Sequence, residues 1–229
     1  MILYHGSQQI IEKPEKTAGK KHNDYGQGFY CTENIELAKE WACPVKRSGY
    51  ANRYVLNTEG LRIMHLTGND ADTPKNHILN WLAVLLQNRV FDVSAPIARQ
   101  ARDYIIENFS PNLQDADVII GYRADDSYFS FAEDFISNTI SLRDLTKAMH
   151  LGKLGEQVVL LSDRAFVHMQ YQGYEIADYR TYYYKREARD KAARGDYRNM
   201  KQSLELLKDD LFILDMMREG MTNEDPRLR

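Results

Sequence analysis

The 229-residue chain has only two cysteines, Cys31 and Cys43. That number excludes a disulfide framework or a cysteine-built metal cluster and favours a reducing compartment. No apolar run approaches the roughly 20 residues that a membrane-spanning helix needs. The first residues, Met-Ile-Leu-Tyr-His-Gly, lack the basic region, apolar stretch and small-residue cleavage site of a secretory leader. The expectation is a cytoplasmic protein with no membrane partner. Charge of one sign is also missing. The net charge of −3 gives no global attraction to nucleic acid or anionic lipid, so any such contact has to come from a local patch. There is no G-x-x-x-x-G-K-[ST] motif, and the lone G-x-G is followed by an aromatic pair instead of a Rossmann-type helix. His65, His77, His150 and His168 have no metal-ligand spacing to cysteines or carboxylates, so no metal is expected.

A hydrophobic content of 43% suffices for a full core, and fifteen tyrosines are an unusual supply of amphipathic rings. Ile2 to Tyr4 starts a buried strand that leaves at His5-Gly6, and Phe29 to Cys31 reads as a second strand. Thr32 or Asn34 can cap a helix that runs to Cys43 and stops at Pro44. Arg53 to Leu66 predicts a hairpin turning at Gly60. Two helices follow, His77–Val90 and about Val93–Phe109, then a buried strand from Asp117 that leaves through Gly121. Phe131 to Met149 has a helical pattern, and Gln157 to Leu161 reads as a late strand.

A composition break falls near Tyr179. From Arg180 to Lys201 there are eight Lys or Arg against three acids, a local +5, interleaved with tyrosines. Such a stretch suits phosphates and bases, or it is a solvated helix whose tyrosines pack on the rest of the molecule; the second reading is favoured. Leu204, Leu207, Leu211 and Leu214 then share the stripe of an amphipathic helix. The chain is accordingly divided into a main unit, 1–178, and a C-terminal segment, 179–229.

The residues that invite a chemical reading lie early. "LYHGS" (Leu3–Ser7) is followed by the glycine-flanked turn "DYGQGFY" (Asp24–Tyr30) and a helix carrying Trp41 eleven residues beyond Tyr30. With the late strand "GEQVVLL" this order resembles the ADP-ribosyltransferase superfamily, in the His-Tyr-Glu branch shared by diphtheria-type toxins and poly-ADP-ribose polymerases. It looks most like an uncharacterised bacterial subfamily of that group. The resemblance implies an α+β fold with a split β-sheet core, flanking helices and a C-terminal helical extension. It also implies NAD as co-substrate and transfer of ADP-ribose to a macromolecular acceptor, protein or nucleic acid, with a neutralising protein partner for a toxin-type member.

Position by position, the resemblance gives His5 to the adenosine ribose and the backbone of Gly6 to the nicotinamide amide, with Ser7 as the small hydroxyl residue that follows. Tyr30 would stack on the nicotinamide ring and Trp41 would cover its other face. Gly26 and Gly28 are the flanking glycines, and Tyr25, the second tyrosine of the turn, joins the NAD-binding set. The family's catalytic glutamate falls on Glu156 or Gln157. Neighbours on a strand face opposite sides, and the spacing leaves both open, with a slight preference for Glu156. A glutamine in the cleft would favour transfer of a single unit over chain elongation. A non-catalytic NAD or ADP-ribose binding module and an NAD glycohydrolase are the alternatives. Arg89 could reach a pyrophosphate or only close a helix dipole, and Asp125-Asp126 could contact substrate or only cap a helix.

Overall fold

The computed structural model describes residues 1–67, 76–124, 126–149, 151 and 155–228, and only the backbone of residues 126–128. Among the described residues seven strands form two sheets. β1 (Ile2–Ser7), β3 (Gly49–Leu56) and β7 (Met169–Ala177) make an antiparallel sheet in the order β1-β3-β7. β2 (Phe29–Cys31), β4 (Ile63–His65), β5 (Val118–Tyr122) and β6 (Glu156–Leu160) make the other, in the order β2-β6-β5-β4. The sheets touch at one antiparallel bridge, where Tyr4 and Thr32 exchange N–H···O bonds of 2.8 and 2.9 Å. Beyond that bridge β1 and β2 part, and the parting leaves room for a cleft. The architecture is α+β.

Helix α1 (Ile35–Ala42) begins at Asn34, whose Oδ1 accepts from Glu36 N (2.9 Å) and Leu37 N (3.3 Å). It lies so close to β1 that a Cβ on Gly6 would sit 2.0 Å from the Ala38 carbonyl oxygen. The glycine of the "HG" pair is therefore demanded first by packing. α2 (Asn76–Asn88) is buried from Ile78 to Leu86, and α3 (Pro96–Phe109) covers it. With the inner faces of β5 and β6 these helices build the main apolar cluster.

The Arg53–Leu66 hairpin does not form: β3 stays in the first sheet while β4 pairs in parallel with β5 in the second. Gly60 does turn the chain (φ 73°), but Arg62 N donates to Asp117 Oδ2 (2.8 Å) and Asp117 N to Arg62 O (2.9 Å), which carries the following strand across to β5. The helical pattern of 131–149 is divided into α4 (Asp126–Ile136) and α5 (Leu142–Met149). Asn138 takes a left-handed φ of 62° between them, and Ser141 Oγ caps α5 by accepting from Asp144 N (3.2 Å).

β7 carries no signal that the sequence reading used. It is a sheet edge with largely exposed side chains, and its Gln170, Gln172, Gly173 and Glu175 dilute the strand pattern. α7 (Tyr179–Gln202) occupies the basic and aromatic stretch. The leucine stripe from Leu204 to Leu214 is not one helix. Residues 203–212 are irregular, held by Asp210, which accepts from Leu207 N (2.8 Å) and pairs with Arg143 Nε (2.8 Å). α8 (Ile213–Glu219) follows, and Tyr197, Ile213, Met216, Met221 and Leu228 all enter the main apolar cluster. Cys31 and Cys43 are buried free thiols. Among the described residues no helix is long and apolar enough to cross a membrane.

Candidate functional site

Where β1 and β2 part, a cleft of about 530 Å³ opens between α1, the 20–30 turn, the end of β5, the start of β6 and α7. His5, Gly6, Asp24, Tyr30, Trp41 and Gln157 line it. Five of these six were candidates from sequence; Asp24 was not.

His5 is fixed from three sides. Its Nδ1 meets the Tyr30 carbonyl oxygen at 2.7 Å, its ring stacks on Phe29 (centroids 4.4 Å apart, planes 25° apart), and its carbonyl accepts from the buried Asn52 amide at 3.3 Å. A carbonyl only accepts, so Nδ1 carries the proton and Nε2 is the free acceptor. Burial holds the imidazole pKa below its ordinary value, which keeps it neutral. Tyr30 is held by its hydroxyl, which donates to Gly26 O (2.6 Å) and accepts from Tyr25 N (3.0 Å). Gly26 takes φ 77°, the left-handed conformation that this turn requires.

Trp41 projects from α1 beside Gly6. Its indole Nε1 is buried and has no hydrogen-bond partner among the described residues, and the Arg123 guanidinium lies 4.8 Å from its ring centre. An unsatisfied buried donor costs about 1–3 kcal/mol. A ligand acceptor placed there would recover that energy.

At β6 the register separates the two catalytic candidates. Gln157 lies opposite Gly121 and faces the cleft, whereas Glu156 lies opposite Tyr122 and turns to the other side of the sheet. There the Glu156 carboxylate accepts from the Thr67 hydroxyl and borders a separate depression with Asn34, Leu37 and Val158. The preference for Glu156 as the cleft residue is thus corrected: the side chain presented there is the amide of Gln157. Its Nε2 donates to Asp24 Oδ2 (2.8 Å), and the same carboxylate accepts from Ala124 N (3.0 Å) and pairs with Arg89 (3.1 Å). Desolvation nevertheless raises the Asp24 pKa, against the lowering influence of Gln157, Ala124, Arg89 and Arg123. Arg89 therefore does not merely close α2; it neutralises Asp24 and faces the cleft.

Besides Glu156, the expected residues Tyr25, Gly28 and Ser7 lie outside the cleft. Tyr25 is buried beneath it, and its hydroxyl passes under Gly121 to donate to Tyr122 O at 2.7 Å. A Cβ on Gly121 would fall 2.0 Å from that hydroxyl oxygen. Gly28 allows β2 to approach β6, where a Cβ would fall 2.8 Å from Leu160 O. Ser7 Oγ accepts from Gln9 N (3.1 Å) in a local turn. Asp125 lies outside the described residues, as does the side chain of Asp126.

The cleft also holds cations that the sequence pattern did not single out. Lys20, Arg123 and Arg186 line it, with Asp190 beside Arg186 on α7. The tyrosine and basic stretch packs against the rest of the molecule, as its favoured reading held. Tyr182 and Lys185 bond Glu36 at 3.0 and 2.9 Å, and Arg189 grips the buried Glu40 through two bonds of 2.9 and 2.7 Å. The one signal for the cleft role of Arg186 was its place in that stretch, three residues from an arginine that faces α1.

No curated protein and no solved structure matches the chain. Residues 1–171 match the family described as "Protein of unknown function (DUF3990)". The match takes in β1 through the first three residues of β7 and every cleft residue except those on α7, and the chain belongs to that family.

Proposed function

We propose that the cleft binds NAD and transfers a single ADP-ribose unit to a macromolecular acceptor. One observation carries the reading: His5, Gly6, Tyr30, Trp41 and the Gln157 strand position converge on a single cleft from β1, β2, α1 and β6. They do so in the chain order of the His-Tyr-Glu signatures, at the point where a split sheet opens. The electrostatics agree. Lys20, Arg89, Arg123 and Arg186 suit a diphosphate, His5 Nε2 is an acceptor for a ribose hydroxyl, and the Trp41 N–H is a donor without a partner among the described residues.

In the proposed reaction the bond from ribose C1′ to the pyridinium nitrogen breaks, and its electron pair leaves on the ring as neutral nicotinamide. The acceptor nucleophile forms the new bond to C1′ and gives up its proton. An amide at position 157 stabilises the cationic ribosyl group less than a carboxylate would, which favours one transfer over elongation.

The same amide supports a second reading, a nucleotide-binding module without turnover. Incubation of the purified protein with NAD separates the two. Nicotinamide release with adenine-labelled product on protein or RNA is the expected result, and release without transfer would make the protein a glycohydrolase. Binding without release would establish the module, and an absence of both would overturn the NAD assignment.

A further inference from the structure

Asp24 does not fit a merely structural part. It is 5% exposed, yet it lines the cleft and spends both oxygens on cleft residues: Oδ1 on Arg89, Oδ2 on Gln157 Nε2 and Ala124 N. An ionised carboxylate only accepts, so it selects which end of the Gln157 amide turns toward it. The Nε2 end is taken. Oε1 has no donor among the described residues, and the side chain that carries it lines the cleft.

We propose that Asp24 is a positioning residue: by accepting from Gln157 Nε2 it fixes the amide with Oε1 toward the cleft, where the oxygen replaces the missing carboxylate at the nicotinamide ribose. This rests on the NAD reading of the cleft. The physical consequence is one of polarity. An amide oxygen carries partial negative charge and stabilises a cationic ribosyl group, whereas an inverted amide presents N–H and opposes it. The Asp24–Gln157 pair thus holds one buried negative charge and one neutral amide. That arrangement avoids two adjacent carboxylates, of which one would have to take up a proton. Arg89 and Arg123 face Asp24 and favour its ionised form; Tyr25 and Tyr30 adjoin it and stay neutral, because burial raises both phenol pKa values.

The test uses the full chain and three variants. In Asp24→Asn the one remaining oxygen stays on the charged Arg89, so Nδ2 takes the place of Oδ2, gives up the bond from Ala124 N, donates to Gln157 Oε1 and inverts the amide. NAD affinity should persist while kcat for nicotinamide release falls about 10²-fold, the low end of the loss of one preorganised group. In Asp24→Asn/Gln157→Glu the new amide donates to the new carboxylate, an acceptor again faces the cleft, and kcat should recover. Gln157→Glu alone places two carboxylates together and should add a titration to the pH–rate profile. An unchanged kcat in Asp24→Asn, or no recovery in the double variant, would overturn the proposal.

A spectroscopic arm does not depend on turnover. The wild-type Gln157 side-chain amide protons, identified by their loss in Gln157→Glu, should exchange slowly and shift as Asp24 titrates. A freely exchanging, pH-insensitive amide overturns the proposal even in a protein that cleaves NAD. A protected amide in a protein that does not bind NAD overturns the functional reading and leaves the Asp24–Gln157 arrangement standing. If Asp24→Asn does not fold, the double variant and the wild-type spectrum decide.

Discussion

Trp41 and His5 show how much a single side chain can be asked to do at this cleft. The indole N–H of Trp41 is buried without an acceptor among the described residues, while the Arg123 guanidinium covers one face of its ring. On the proposed NAD reading, a nicotinamide ring stacked on Trp41 would use the face that Arg123 leaves open. Trp41→Ala should weaken NAD binding by about 1–3 kcal/mol, the range for loss of a stacking ring. Trp41→Phe keeps a smaller aromatic ring and removes the donor, and should cost less than Trp41→Ala, about 1 kcal/mol. Calorimetric titration checks both, and equal affinity in all three proteins would remove Trp41 from the site.

His5 adds a pH dependence with a definite sign. Its folded pKa lies below its ordinary value, so below about pH 6.5 the unfolded chain binds more protons than the native one. Stability from neutral His5 is complete above that pH and is lost as pH falls, at up to about 1.4 kcal/mol per pH unit. Asp24 acts oppositely, because its raised pKa lets the native state gain a proton first on acidification. Urea midpoints between pH 7 and 5 should fall more steeply for wild type than for His5→Asn. Parallel slopes would show that the His5 pKa is the same in the folded and unfolded states and carries no such linkage.

Among the elements, α7 is tied to α1 by charged side chains as well as by its packed tyrosines. Glu40 is buried, and two bonds from Arg189 compensate it. Removing one partner of a buried pair leaves an uncompensated charge, which typically costs about 3–5 kcal/mol. Arg189→Met should lower stability by that order in denaturant titrations, and adding Glu40→Gln should restore part of it. Additive losses would mean that the two side chains do not interact. The same elements show what the sequence could reveal. β1, β2, β5, β6, α1, α2 and α3 were legible because each combines an apolar pattern with a local stop or cap, such as Asn34 or Pro111. The cleft residues His5, Gly6, Tyr30 and Trp41 were legible from their order along the chain. β7 was not, since an exposed edge strand has little apolar alternation to show. The Gln157 assignment was not either, because a strand's facing depends on register, and register here is set by β5 across the sheet. Asp24 was visible as a letter, but its meaning depends on Gln157, 133 residues away.

At the scale of the whole molecule, the family match and the folded unit differ in extent. The match ends at residue 171, yet Tyr197, Ile213, Met216, Met221 and Leu228 are buried in the same apolar cluster as α2, α3 and the inner sheet face. Asn223 also reaches that interior, accepting from Asn80 Nδ2 at 2.8 Å. At roughly 1.5–3 kcal/mol for each fully buried apolar side chain, these five contribute on the order of 10 kcal/mol. That is comparable to the entire stability of a typical domain, about 5–15 kcal/mol. Truncation after Asp178 should therefore abolish the cooperative unfolding transition, with NAD binding lost alongside it. Arg186→Ala in the full chain separates this structural contribution from the one α7 makes at the cleft: its unfolding midpoint should stay near wild type, because Arg186 lies on the cleft wall instead of in the core, while NAD binding weakens and loses part of its salt dependence. A truncated chain that melts cooperatively at the wild-type midpoint would show that residues 179–229 rest on a core complete without them.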